Sequence, residues 1–266
     1  MWEPRKDNSR YLVLNEIINI IESAAPLKWQ EAWDNSGLQV GNRNAEIHAA
    51  LLTTDVTEAV VREAIMLHCD LIVSHHPLLF HGLKSICGVT PQERCVQLAI
   101  KNDIAIYSSH TSMDSWLHGV SGKMAEQLGI TDYHILVPSA DDYGLGVIGV
   151  LPEAMPFANL LKRVKEAFGA ERLRYIEPVR QEVKTVALCG GAGAEFADEA
   201  VRQGADVYIS ADFKYHEMLQ ADGRIGVIDM DHWVSEHFTR NIFAELLQGK
   251  VATYISHADR TPIQFI

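Results

Sequence analysis

Two stretches of this chain repeat one another at a fixed offset, and the repeat limits what the chain can fold into. In the first, Ala49 to Leu52 reads as a strand leading into Thr53-Thr-Asp55. Thr57 is a plausible N-cap with Glu58 in the first turn, and the helix it opens runs to about His68. Asp70 to Ser74 is then a second strand, built on the apolar run Leu71-Ile-Val73. In the second stretch, Val186 to Leu188 is a strand and Cys189-Gly-Gly-Ala-Gly193 a glycine-rich turn. Ala194 to Gln203 is a helix and Asp206 to Ser210 a strand. A shift of 136 positions lays Glu63-Ala64 on Glu199-Ala200, Asp70 on Asp206 and Ser74 on Ser210, and it puts His75-His76 on Ala211-Asp212. Strand–helix–strand units of this kind imply parallel pairing. Both continue alike, the first into a helix over Pro91–Lys101 and a strand at Ile104–Tyr107, the second into a strand at Ile225–Ile228. The expected fold is α/β: two related lobes from an internal βαβ duplication, with mixed sheets flanked by helices. Topology places residues 1–130 plus 228–266 in one α/β lobe and residues 131–227 in a second.

The remaining segments fit around these units. Residues 1–10 read as a frayed tail. Leu14, Ile17, Ile18 and Ile21 repeat at helical spacing, with Ser9 as a possible cap and Pro26 as the stop. Trp33-Asp-Asn-Ser-Gly-Leu-Gln-Val-Gly41 is a turn-rich loop ending in a short strand. Asp141 to Val150 is a glycine-spaced strand region, Pro156–Phe168 is amphipathic, and residues 251–266 form a last strand or tail. A helix runs from the third strand tip of the first unit through Leu128, closed by Gly129, and another from the tip of the second unit to about Leu247.

Composition excludes several functions. At 266 residues the chain suits one large or two small domains. A net charge of −12 without any Lys/Arg cluster argues against binding nucleic acid through phosphate neutralisation. No stretch reaches the ~18 apolar residues of a membrane span, and the polar start shows no signal-peptide pattern. Cys69, Cys87, Cys95 and Cys189 lack CxxC spacing and read as reduced, mostly buried thiols of a cytoplasmic protein.

The chemistry gathers at strand tips, where open α/β sheets bind ligands. His75 and His76 follow the second strand at once, and Pro77 prevents its regular continuation. His110 and Asp114 stand four residues apart after the next strand, as do His232 and Glu236 after the corresponding strand of the second unit. Asp212 and His216 come from a fourth tip. Each piece alone is an ordinary loop or surface feature. As a set, imidazole and carboxylate without thiolate suit zinc, iron, manganese or cobalt used for chemistry. The donors outnumber the needs of one four-coordinate ion, which favours two ions bridged by a carboxylate. No Gly-x-Ser-x-Gly elbow supports a serine triad, and Cys189-Gly-Gly-Ala-Gly193 lacks the Walker lysine. That glycine run serves better as a tight turn before a helix, although its amides could hold an anion.

With these pieces in view, the chain resembles the Nif-three-like family, the GTP cyclohydrolase 1 type 2 homologs. The resemblance is carried in family order by Trp33–Gly41, Ser74-His-His-Pro-Leu-Leu-Phe80, Tyr107-Ser-Ser-His-Thr-Ser-Met-Asp114, Cys189–Gly193, Ser210-Ala-Asp-Phe-Lys-Tyr-His216 and His232-Trp-Val-Ser-Glu236. It implies a two-lobed α/β fold, two divalent metal ions per chain and a ring-shaped homohexamer. It implies His75, His76, Asp114, His232 and Glu236 as ligands, with Glu236 as the bridge. His110, Asp212 and His216 become ligand-orienting or substrate-facing groups, His110 or His216 moving protons. The family's longer members carry an inserted domain that this chain is too short to hold. Two positions depart from the family pattern: Asp231 stands where glycine usually precedes the last histidine, and Ser109 stands where alanine or glycine is common. The expected function is a metal-dependent hydrolase acting on a nucleotide or other small polar substrate, GTP ring-opening being the specific version. The alternative is a non-catalytic metal-binding, metal-delivery or scaffold protein.

Overall fold

Short β-rich runs ended by polar tips lead here to two mixed sheets, one with four consecutive parallel strands and one with three. The computed structural model of the protein describes residues 11–140, 142–264 and 266. The expected tail at residues 1–10, the cap at Ser9 and the first residue of the 141–150 segment lie outside the described residues. The chain divides into two compact units, Met1–Leu27 with Ala32–His110 and Arg240–Pro262, and Lys28–Glu31 with Thr111–Thr239 and Ile263–Ile266. The divisions thus fall after His110 and after Thr239, where the sequence had suggested 130 and 228.

The first unit begins with β1 (Leu12–Val13) and α1 (Leu14–Ala24), whose Leu14, Ile17, Ile18 and Ile21 are buried as the spacing predicts. Glu16 accepts from the Val13 N–H at 2.8 Å and closes the first turn. There follow β2 (Gly37–Val40), β3 (Glu46–Ile47), β4 (Ala49–Thr53), α2 (Glu58–Met66), β5 (Leu71–Ser74), α3 (Pro91–Lys101) and β6 (Ala105–Ser108). Thr57 and Thr90 cap α2 and α3 by accepting from Val60 and Glu93 N–H groups. The second unit holds α4 (Thr111–Ser115), α5 (Val120–Gln127), β7 (Tyr133–Ala140), β8 (Tyr143–Pro156), α6 (Phe157–Phe168) and β9 (Arg174–Ile176). It continues with β10 (Glu182–Ala192), α7 (Ala197–Arg202), β11 (Val207–Ala211), α8 (Tyr215–Ala221), β12 (Gly226–Asp229) and α9 (His232–Glu236). The chain closes through α10 (Thr239–Leu247) and β13 (Ala252–Ile255).

The sheet of the first unit runs β13-β4-β5-β6-β2, parallel throughout except for β2 against β6. Val60, Val61 and Ala64 of α2 pack with Cys95, Val96 and Ala99 of α3 on this sheet. The sheet of the second unit runs β7-β8-β10-β11-β12-β9, with β10, β11 and β12 parallel and the flanking pairs antiparallel. All four cysteines are free, and three of them are buried. No helix among the described residues is long and apolar enough to cross a membrane.

The internal duplication is visible bond by bond. In the first unit the Asp70 Oδ2 atom accepts from the N–H groups of His48 and Ala49 at 2.8 and 3.2 Å. In the second, Asp206 Oδ2 accepts from Lys184 and Thr185, both at 2.9 Å. All three positions differ by the same 136 residues. The Cys69 N–H donates to the Ala64 carbonyl and the Ala205 N–H to the Ala200 carbonyl, each at the turn that leaves its helix. The repeated aspartate satisfies two backbone donors where the first parallel strand begins, so one carboxylate fixes the entry of the βαβ unit.

Two expected helices are each broken in two. One divides into α4 and α5, and the other into α9 and α10. At the second break the Thr239 hydroxyl donates to the Glu236 carbonyl at 2.6 Å, taking a bond the helix would have used.

A buried carboxylate anchors the end of the first unit. Glu63 of α2 accepts from the Ser256 hydroxyl and from the His257 and Ala258 N–H groups. Burial alone would raise its pKa, but these bonds prevail and hold it below the usual range. A lowered folded pKa contributes stability that is present at neutral pH and lost as the pH falls below about 4.5. Glu63→Gln should destabilise the protein by about 1–3 kcal/mol at pH 7, since an amide donor then faces backbone donors. Urea unfolding should show that deficit shrinking between pH 5 and pH 3, estimates of about one unit either side of the carboxylate range. A deficit independent of pH would refute the anchor.

Candidate metal centre

Each unit ends its parallel strands in a group of polar side chains, and each group stands on its own geometry. In the first unit, ladder bonds continue past the strand ends. The His75 and His76 N–H groups donate to Thr53 and Thr54 carbonyls, and Ser109 N–H donates to the Ser74 carbonyl. The Ser74 and Ser108 hydroxyls meet at 2.8 Å between β5 and β6. The imidazoles that follow are therefore set by sheet register rather than by loop conformation.

His75, His76 and His110 come together there, a ring nitrogen of each lying within 4.8 Å of the others. Every one of them has Nδ1 engaged. His75 Nδ1 lies 3.0 Å from the Ser109 carbonyl, His76 Nδ1 2.9 Å from Asp55, and His110 Nδ1 2.9 Å from Asp34. A carbonyl oxygen can only accept, so Nδ1 of His75 carries a proton, and in the neutral imidazole Nε2 is then the nitrogen with the lone pair. The carboxylates favour the same tautomer for His76 and His110. Ser36 adds a bond to the His110 N–H at 3.0 Å. Metal-ligating histidines characteristically show this arrangement, the near nitrogen oriented by an acceptor and the remote one bound to the ion.

The second unit repeats the pattern. His232 and Glu236 face each other across one turn of α9, Nε2 to Oε2 at 3.1 Å. Asp212 holds His232 Nδ1 at 2.6 Å. Asp212 is itself left-handed, at φ +59°, a conformation that costs a non-glycine residue about 1–2 kcal/mol and clusters at functional sites. Asp114 of α4 offers a carboxylate oxygen within 4.8 Å of one from Glu236. Gly190 and Gly191 form the wall beside Glu236: a Cβ built on Gly191 would sit 2.1 Å from its Oε1.

Here the structure corrects one expectation. Cys189-Gly-Gly-Ala-Gly193 is not simply a turn, because β10 runs through Ala192 with an irregular register after Leu188. The Gly190, Gly191 and Gly193 N–H groups donate to the hydroxyls of Ser121, Ser235 and Ser210, so these amides are spent within the protein rather than offered to an anion. The glycines leave room for a carboxylate instead.

The donor chemistry fits divalent cations. The sets are imidazole and carboxylate, and the nearby thiol stays out of them. Burial, followed by the charges of Asp114 and Glu236, pushes the Cys189 thiol well above its ordinary value, so it supplies no thiolate. Cys95, buried among the first unit's helices, is likewise pushed up to about 11.

Of the residues singled out by sequence, His75, His76 and His110 are together in the first unit, and Asp114, Asp212, His232 and Glu236 are in the second. His216 lies exposed in the first turn of α8, its ring edge-on to Tyr215. Asp34, Asp55 and Gly191 carry parts of these groups that sequence reasoning did not assign. Asp55 sits at a strand tip and Asp34 in the Trp33–Gly41 loop, which were the only signals available.

The family model Duf34/NIF3 (NGG1p interacting factor 3) matches residues 12–262. A Clostridium perfringens protein named GTP cyclohydrolase 1 type 2 homolog is 34% identical over 260 residues, covering 95% of this chain and 99% of that protein. The NIF3-like protein 1 of Drosophila melanogaster is 30% identical over 94% of this chain and 88% of its own. A crystal structure of a Bacillus cereus protein related to NIF3 superposes with a TM-score of 0.88 at 24% identity, over 98% of this chain and all of the other.

Proposed function

Since the chain belongs to the DUF34/NIF3 family, we propose that it binds two divalent metal ions and uses them to hydrolyse a nucleotide or another small polar substrate. The ligands in this reading are His75 and His76 of the first unit and Asp114, His232 and Glu236 of the second. One observation carries it: in both units histidines at strand tips have Nδ1 tied to an acceptor, which makes Nε2 the nitrogen a metal ion would take, and His232 Nε2 already faces the Glu236 carboxylate. Ions held by such a set supply Lewis acidity and lower the pKa of water toward neutrality.

The chain's own groups have distinct tasks. Asp55 and Asp212 keep His76 and His232 in the binding tautomer. His110, tied at Nδ1 to Asp34 and at its N–H to Ser36, is positioned to take a proton at Nε2. Gly191 leaves space for the Glu236 carboxylate. The name of the Clostridium relative motivates GTP ring-opening as the first reaction to assay.

Elemental analysis of protein purified without chelator tests the reading. The native chain should hold about two equivalents of metal, and His75→Ala should lose one or both. A native chain that stays near zero after reconstitution would overturn it. Metal without turnover across a nucleotide and phosphoester screen would leave the non-catalytic alternative.

A further inference from the structure

Two large aromatic side chains stand in the open beside the three histidines of the first unit. Trp33 is 59% exposed and Phe80 39% exposed. Their ring centroids lie 5.8 Å apart with planes inclined at 50°, and both approach His110, at 5.9 and 6.3 Å. A tryptophan is mostly buried on average, and isolated exposed apolar residues need no explanation. A paired and exposed Trp and Phe adjoining a candidate metal group is a different observation.

The pair is also rigidly mounted. Consecutive residues of one loop hold the surroundings: Asp34 binds His110 Nδ1, Asn35 donates to the Leu79 carbonyl at 2.6 Å, and Ser36 bonds the His110 N–H. Gln39 completes the clamp, accepting from the Leu79 N–H at 3.2 Å and donating to the Asn35 carbonyl at 2.7 Å. The loop that carries Trp33 is thus fastened both to the histidine group and to the segment that carries Phe80. A platform fixed in this way costs little ordering when a ligand arrives.

We propose that Trp33 and Phe80 form a stacking subsite that receives a planar heteroaromatic ring of the substrate and places it against the histidines. This rests on the metal-dependent reading above and adds which part of the substrate is recognised, and by what. The faces decide the ligand class. An aromatic cage for a quaternary ammonium surrounds its cation with several ring faces. Here His110 meets Trp33 at 68° and has its Nδ1 committed to Asp34, and His81 meets Phe80 at 73°, so the two exposed rings, inclined at 50°, form a V of two faces. An open V admits a flat ring, whose π-face stacks on indole without needing sequence-like hydrogen-bond readout.

The test is calorimetric titration of the metal-loaded full chain with inosine, thymidine and the ring-free control ribose, using native protein, Trp33→Ala and Trp33→Phe. At least one nucleoside should bind the native chain and ribose should not. Trp33→Ala should weaken nucleoside binding by about tenfold or more, and Trp33→Phe should restore most of it. Metal content, measured on the same samples, should be equal in all three. Nucleoside affinity unchanged in Trp33→Ala, no binding of either nucleoside, or stronger binding of tetramethylammonium would each overturn the subsite. So would a change of mass in solution in place of a change in affinity, which would make the aromatic pair a contact between copies. Two equivalents of metal with no ring binding would sink the subsite alone. Failure of the native chain to hold metal sinks the hydrolase reading, whatever the Trp33 comparison shows.

Discussion

Glu236→Gln should strip the protein of most of its metal while leaving the fold in place. The exchange keeps the side chain's volume, removes its charge and puts an amide donor in place of one acceptor oxygen, so packing in α9 is preserved. Glu236 is buried, 3% exposed, and its Oε2 lies 3.1 Å from His232 Nε2. A carboxylate that bridges two ions contributes to both, so its loss should lower occupancy from about two equivalents to well below one. Asp212→Ala provides the contrast. It removes the acceptor that orients His232 but no ligand, and partners of that kind are worth roughly 10–100-fold in metal affinity. At saturating metal Asp212→Ala should therefore recover native stoichiometry, and Glu236→Gln should not. Elemental analysis at low and high metal separates the two. Equal recovery in both variants would overturn the proposal that Glu236 bridges two ions.

Gly191→Ala should cost the second unit both stability and metal. Gly191 has φ +63°, which costs an alanine about 1 kcal/mol. Its Cβ would also lie 2.1 Å from Glu236 Oε1 and 3.4 Å from His232 Cε1, and forcing volume into such a site costs a further 1–3 kcal/mol or so. Gly169, the C-cap of α6, is the control. Its φ is +67°, and nothing lies within 4 Å of a built Cβ. Gly169→Ala should cost about 1 kcal/mol and leave metal content unchanged. Gly191→Ala should cost about 3 kcal/mol and lower metal content as well, because Glu236 must move. Denaturant unfolding and elemental analysis of the two variants check this. Equal losses in both would show that Gly191 answers only a backbone need.

The repeat at 136 residues illustrates what can be read from a single chain. Matching apolar runs and matching tips sufficed to pair Asp70 with Asp206, and each then binds the N–H groups of equivalent residues. The functional content of that match, one carboxylate closing two strand-entry donors, was not in the pattern. The aspartates could as well have been solvated turn residues. The glycine run misled for a related reason. Composition suggests a turn, and only the neighbouring carboxylate explains why the strand needs positions without a Cβ.

By itself the sequence determined the α/β class, the duplicated unit, the buried face of α1 and the strand tips at which histidines and acids would appear. These depend on local periodicity and on residue type, which a linear reading retains. Tertiary structure alone decided which nitrogen each histidine offers, because that depends on acceptors far along the chain. Asp34 reaches His110 across 76 residues, and Asp55 reaches His76 across 21. It also decided where helices break and where the two units divide, after His110 and Thr239. No glycine- or proline-rich linker marks those positions. Division there follows from which side chains pack together, a property of the folded chain that no local stretch encodes.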